Sequence, residues 1–429
     1  EWDEPQAVIG SYLHRHAYPK WYGEHLSRGR ALDESHSRAT AAPVGCIQLR
    51  GEYLFAAEGP GGMRVYDVAS IANKGVSQRI ISAPFSPLGH DTRIASTNAT
   101  CVALPTTQPI HPARGADPKM REANQEQAFH PIYDYALVTD AVEGLILTDV
   151  NTLADGEPRN NFLRRALTWN EGGILDGARH LTIAGRFVYV AASKGLVVLD
   201  MDQPLKPKVL ATLPFADLRS TAIQFRYLFA LDATGMHVVD VTDPAAPRIV
   251  PGAHVPMADA RRMMVARTYA YVAAGREGLL IVDVENPERP RIHQRFTDDG
   301  RIDDARDVVI GATNASPFAY VADGKNGLKV VQLTSPDSQP NFYGFSPEPK
   351  PEVVAWRRTQ SPALSLSRGL ERDRGVDESG GQVAVFGRIG SRPFTLEEQR
   401  RLYIGRDGKP YKVSPTGRPE DFAPAVRTR

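Results

Sequence analysis

Six times in 429 residues the chain repeats a glycine, an apolar run and, in five of the six, an aspartate. The copies are GMRVYDV from Gly62, GLILTDV from Gly144, GLVVLDM from Gly195, GMHVVDV from Gly235, GLLIVDV from Gly278 and GLKVVQL from Gly327. The first glycine-to-glycine step is 82 residues and the other four are 40–51. A segment that recurs at such a period is one supersecondary unit packed on copies of itself, and this constrains the fold more than any single motif.

Each unit holds more than this strand. A second strand lies just upstream: YLFAA (53–57), YALVT (135–139), FVYVA (187–191), YLFAL (227–231), YAYVA (269–273) and FAYVA (318–322). A third opens with a small motif: GARHLTI at 177, DLRSTAI at 217, DARRMMV at 259 and DARDVVI at 304. In four units a further strand follows a proline turn: KPKVLATL, APRIVPGA, RPRIHQRF and QPNFYGF. No window carries a useful helical apolar stripe, and 36 Gly with 33 Pro supply many turns. Four short strands per unit describe a blade, so the expected fold class is an all-β, four-stranded-blade β-propeller.

Six blades are plain. EPQAVIGSYL (4–13) reads as a fourth strand with no blade before it, comparable to RPRIHQRF. Propellers often close by joining both chain ends in one blade, because an open sheet edge invites mispairing. Seven blades are therefore favoured, the last drawing on ALSLSRG (363–369), QVAVFGRI (382–389) and RLYIGRDG (401–408). Six blades with decorated ends is the alternative. The organisation expected is an N-terminal arm over 1–43, repeats over 44–346 with an insertion at about 105–130, and a tail over 347–429. The tail is rich in charge and proline and is expected to complete a blade or to dock on the propeller or a partner.

The phrases YVAAGREGLLIVDVENPERPRI (271–292) and FALDATGMHVVDVTDPAAPRIV (229–250) closely resemble the LVIVD repeat family of bacterial and archaeal exported proteins. The resemblance spans about 44–346 and departs at Gln332, which stands where Asp is expected. It implies a β-propeller of the cell surface or periplasm, usually without an assigned enzyme. The chain begins at Glu1 rather than Met, consistent with a leader already removed.

Charge excludes some partners. Fifty-one Lys and Arg against 50 Asp and Glu leave a net of +1, which argues against bulk capture of nucleic acid or anionic membrane. No run approaches the roughly 18 apolar residues of a membrane helix. No cofactor is indicated: CxxCH, HExxH, GxSxG, a Walker loop and a strand-borne GxGxxG are all missing from the sequence.

Candidate site residues come from aligning the units. Arg179, Arg219, Arg261 and Arg306 share one first-strand position, where Gly45 and Thr100 stand in the first two units. Guanidinium forks suit carboxylate or phosphate, so the set could bind a small anion, or each Arg could pair with the Asp two residues earlier or with carbonyls of the next blade. The next position holds Cys46, Cys101, His180, Ser220, Arg262 and Asp307. Both cysteines thus fall at equivalent places in neighbouring units. Three readings are open there: a disulfide, two buried thiols, or soft ligands for zinc or copper with His180. Asp298, Asp299, Asp303 and Asp304 sit around Gly300 without calcium-loop spacing. His14, His16, His25 and His36 in the N-terminal arm, and His111 and His130 in the insertion, could meet a partner's haem iron.

These readings point to a non-enzymatic exported propeller acting as scaffold or interaction subunit of a surface or periplasmic assembly. Its partners would be other protein chains, either a multihaem electron-transfer complex or copies of itself. The alternatives are a metal-dependent hydrolase or lyase and a small-anion binder. The recurrent Asp67, Asp149, Asp200, Asp240 and Asp283 are expected to cap the turn after their strand by accepting backbone N–H bonds.

Overall fold

Runs of small and branched apolar residues bury the middle strands of the repeats, Phe187–Ala192 and Tyr227–Asp232 along their whole length, and these seed the sheets; in the sixth repeat the burial is partial and Tyr320 is exposed. In the computed structural model the described residues are 43–68, 93–108, 111–124, 128–155, 163–312, 317–335, 346–368, 388–389 and 392–411. The chain groups into two compact units. One is Glu1–Thr212 with Ser365–Gly380 and Arg388–Pro393; the other is Leu213–Leu364 with Gly381–Gly387 and Phe394–Arg429.

The first unit carries three antiparallel four-stranded blades. Blade one is β1 (Cys46–Arg50), β2 (Tyr53–Ala57), β3 (Met63–Asp67) and β4 (Arg93–Ile94). Blade two is β5 (Ala99–Ala103), β6 (Tyr135–Asp140), β7 (Gly144–Asp149) and β8 (Arg164–Trp169). Blade three is β9 (His180–Ala184), β10 (Phe187–Ala192), β11 (Gly195–Asp200) and β12 (Lys208–Leu213). Between β5 and β6 the insertion holds a 3-10 turn, Pro112–Gly115, and α1 (Pro118–Asn124).

The second unit repeats the plan. Blade four is β13 (Ser220–Gln224), β14 (Tyr227–Asp232), β15 (Gly235–Asp240) and β16 (Arg248–Pro256). Blade five is β17 (Arg262–Ala266), β18 (Tyr269–Ala273), β19 (Leu279–Asp283) and β20 (Arg291–Phe296). Blade six is β21 (Asp307–Ala312), β22 (Pro317–Ala322), β23 (Leu328–Gln332) and β24 (Glu352–Arg357).

Within each unit, blades pack face to face along their first strands: β1 on β5 on β9, and β13 on β17 on β21. Phe55, Leu145, Ile146, Leu147, Val188 and Val190 fill one core; Phe229, Met236, Val272 and Leu280 fill another. Each such side chain contributes about 1.5–3 kcal/mol on burial.

The conserved grammar of the repeat is polar as well. Asp149, Asp200, Asp240 and Asp283 each use Oδ1 to accept the N–H two residues on, at 2.9–3.1 Å. The other oxygen takes a guanidinium: Arg164 for Asp149, Arg186 for Asp200, Arg226 for Asp240 and Arg291 for Asp283. The aspartate is therefore a turn cap anchored by an arginine, not a free acid.

The sequence expectations for the blade count and the C-terminal strands are corrected here. Six four-stranded blades stand among the described residues, so the six-blade alternative replaces the seven-blade preference. Arg401–Tyr403 closes a helix, α2 (Leu396–Tyr403), because Thr395 and Glu398 form a capping box ahead of it. Ala363 makes only an isolated bridge to Gly324. Ser365 and Ser367 instead present hydroxyls to the Ile47 and Leu49 N–H groups of β1, blunting that strand's edge. Of QVAVFGRI only Arg388–Ile389 is described, and it forms β25, paired in a two-residue hairpin with β26 (Arg392–Pro393). The fourth strand of blade six is Glu352–Arg357; QPNFYGF (339–345) and EPQAVIGSYL (4–13) lie outside the described residues.

Candidate functional site

The four aligned arginines each start a blade. The backbone N–H groups of Arg179, Arg219, Arg261 and Arg306 donate to Ala191, Leu231, Ala273 and Ala322 of the second strand. Arg219 Nε lies 2.8 Å from Asp217 Oδ2, Arg261 Nη2 2.7 Å from Asp259 Oδ2, and Arg306 Nε 2.6 Å from Asp304 Oδ1. Arg219 Nη1 also donates to the Ala260 carbonyl of the next blade at 3.0 Å. In blade two Thr100 does the same job, its Oγ1 donating to Ala178 O at 2.8 Å. Arg179 has Gly177 two residues earlier, and its Nε reaches that carbonyl at 3.4 Å. The guanidinium groups of the second unit thus lie against carboxylates of their own blades. The carboxylates in turn need the turn glycines: a Cβ on Gly275 would sit 2.0 Å from Asp259 Oδ2, and one on Gly324 1.9 Å from Asp304 Oδ2.

At the next position Cys46 and Cys101 are joined as a disulfide between β1 and β5, with Cα atoms 4.8 Å apart. Both are buried. This removes both sulfurs from the three-ligand metal set with His180, which lies opposite Ala191 in its own sheet.

The acidic stretch does not converge. Asp298 pairs with Arg301 at 2.7 Å, Asp303 with Asn326 at 2.6 Å and Lys325 at 3.3 Å, and Asp304 with Arg306. Among the expected haem-facing histidines, His14, His16, His25 and His36 lie outside the described residues. His111 precedes the Pro112–Gly115 turn. His130 caps the Pro131–Asp134 turn, its Nδ1 accepting the Ile132 N–H, and its Nε2 is 3.7 Å from Asp202. Burial holds its imidazole below the ordinary value, against the pull of Asp202.

Two clusters were not foreseen. Arg226, buried at the head of β14, reaches Asp240 Oδ2 and Tyr227 Oη at 2.5 Å each, and Glu288 Oε1 and Tyr411 O at 3.3 Å each. Through it the segment containing α2, with Phe394 and Tyr403 buried, is fastened to blade four. The second cluster is a cross-strand pair, His237 on β15 opposite His254 on β16. Their rings stack with centroids 4.3 Å apart and 22° between planes. The equivalent pairs elsewhere differ: Arg64 with Arg93, Ile146 with Thr168, Leu280 with Arg295, and Lys329 with Trp356. Burial pushes the His237 imidazole below its ordinary value, as does His254, while Asp232 opposes them. Burial also acts to raise Asp232, but hydrogen bonds from Thr234 and the charge of His237 hold it below the usual carboxylate value.

Four-stranded antiparallel blades packed along their first strands define a β-propeller architecture. The LVIVD repeat model matches residues 177–210, 258–298 and 304–345, so blades three, five and six carry LVIVD repeats. Blade four, which bears the histidine pair, falls outside the matched segments. No curated protein matches the chain. Among solved structures, the Cps50 (Swd1) β-propeller domain of Myceliophteria thermophila is similar at 12% identity and TM-score 0.47, over 76% of this chain and 90% of that one. The extracellular domain of the hybrid two component system BT4673 from B. thetaiotaomicron is similar at 13% identity and TM-score 0.41, over 68% of this chain but 32% of that one. The computationally designed Ika8 protein is similar at 8% identity and TM-score 0.43, over 76% and 91%. At such distances these likenesses carry nothing about binding or activity. No helix among the described residues is long and apolar enough to cross a membrane.

Proposed function

We propose that the chain is a non-enzymatic, exported propeller that builds an assembly from copies of itself. The observation that carries this reading is the outer edge of blade six. Five of the six β24 residues are exposed, including Trp356 at 65% and Val354 at 48%. No strand pairs with its far side among the described residues. Trp and Arg are the residues that anchor interfaces, and Trp356 is followed by Arg357 and Arg358, both exposed. An open, apolar edge strand is a template for a further strand.

The occupant is the N-terminal segment of a second copy, EWDEPQAVIGSYL (1–13). It reads as an outer strand that has no blade of its own, and Glu1, Asp3 and Glu4 complement the two arginines. Of the two assemblies expected from sequence, this favours the homopolymer over a multihaem partner. The disulfide between blades one and two supports an oxidising compartment. Size-exclusion chromatography with light scattering tests the reading. The expected result is a concentration-dependent mass above the 47.0 kDa protomer that falls to it on Trp356→Glu or on deletion of residues 1–13. A wild-type protein that stays monomeric at every concentration would end it.

A further inference from the structure

We propose that His237 and His254 form a two-histidine binding site for a divalent transition-metal ion of the nickel, copper and zinc group. The site is made by a departure from the repeat. In blades two, five and six the third and fourth strands slip register by one residue at the same level. In blade four the slip is larger: His237 faces His254 and Val239 faces Ile249, so two steps on β15 span five on β16. The extra residues include Pro251 and Gly252, the latter at φ 78°. This bulge brings a second imidazole directly opposite the first.

The donors then converge. Both Nε2 atoms point at Thr234 Oγ1, at 3.1 Å for His237 and 3.3 Å for His254. Asp232 Oδ2 lies 3.0 Å from His237 Nε2, and its Oδ1 holds the Thr234 hydroxyl at 2.7 Å. These are hydrogen-bond distances, and an ion bound at about 2.0–2.1 Å, the length of a zinc–imidazole bond, would take the place of the Thr234 hydroxyl between the two nitrogens. The carboxylate of Asp232 adds negative charge beside the nitrogens. Thr234 and His254 are exposed, so an ion can reach them. Among the described residues no three His, Cys, Asp or Glu side chains are arranged to hold a metal. The chelate therefore supplies two nitrogens and leaves the other positions to water, a combination that suits imidazole-seeking ions rather than calcium or magnesium. None of the cross-strand partners read at the same level in blades one, two, five and six supplies two imidazoles.

The test uses the full chain, stripped with a chelator and titrated calorimetrically with Ni²⁺ at pH 7.5. The wild type, His237→Gln, His254→Gln and, as a control on blade five, His293→Gln are compared. The expected result is one Ni²⁺ per chain in the wild type and the control, with affinity lower by about tenfold or more in either site variant. With Cu²⁺, electron paramagnetic resonance should show two coordinating nitrogens that become one in His254→Gln. His254 is exposed, so this variant decides even where His237→Gln fails to fold. Wild-type protein that takes up no Ni²⁺, or a His254→Gln protein that binds as the wild type does, would overturn the proposal.

Discussion

Blades one and five share three inner strands and differ at both margins. Blade five ends in the six-residue β20 and ties the entry to its first strand with Arg261 on Asp259. Blade one ends in the two-residue β4, has Gly45 where the arginine would be, and is bound to blade two by Cys46–Cys101. The comparison teaches that the entry to the first strand is secured in several ways: an ion pair, a hydroxyl such as Thr100 or, one residue further on, a covalent bond to the neighbour. Charged residues that recur around the blades are engaged in holding them. Individual chemistry is left to the places where the pattern breaks.

The largest test of that contrast removes the covalent tie. The two cysteines are 55 residues apart, and Cys46→Ser with Cys101→Ser should lower stability by about 4 kcal/mol, read from denaturant midpoints. No change would mean that the ordinary contacts of blades one and two already suffice. Next comes Arg226→Met, which leaves Asp240 without its guanidinium; a loss of about 3 kcal/mol and faster proteolysis near Tyr411 are expected. Equal protection in variant and wild type would show that the tail is fastened elsewhere. Gly275→Ala puts a methyl against Asp259 at φ 53° and should cost about 1–2 kcal/mol, against near zero at Gly45, whose φ is not positive and where a Cβ would find ordinary space.

The smallest effect is in pH. The His130 and His237 imidazoles both lie below their ordinary value of 6.5 in the fold. The unfolded chain therefore binds more protons as pH falls through that value, so stability is full above it and declines below it. Melting temperature should be level from pH 7 to 8 and drop toward pH 5, less steeply in His237→Gln. An equal slope in the variant would remove His237 from the explanation.

Much of the fold was legible because its signals are local. Alternating apolar strands, turn glycines and the Asp of GLLIVDV repeat at a readable period, and the Asp–X–Arg motif already suggested its own pairing. What was missed depends on distance in the chain. Arg226 meets Tyr411, 185 residues away. The opposition of His237 and His254 is set by the length of a bulge that no periodicity reveals. The helix over Leu396–Tyr403 was readable in TLEE, a capping box, but its apolar Leu–Tyr–Ile run suggested a strand.

The account's central claim is that residues 1–13 of one copy lie along β24 of another. The most direct measurement is a cysteine pair, Val8→Cys with Val354→Cys, oxidised in the full chain and run on a non-reducing gel. The account predicts dimers and higher ladders that vanish with Trp356→Glu. A monomer band alone, whether unlinked or closed within one chain, would contradict it.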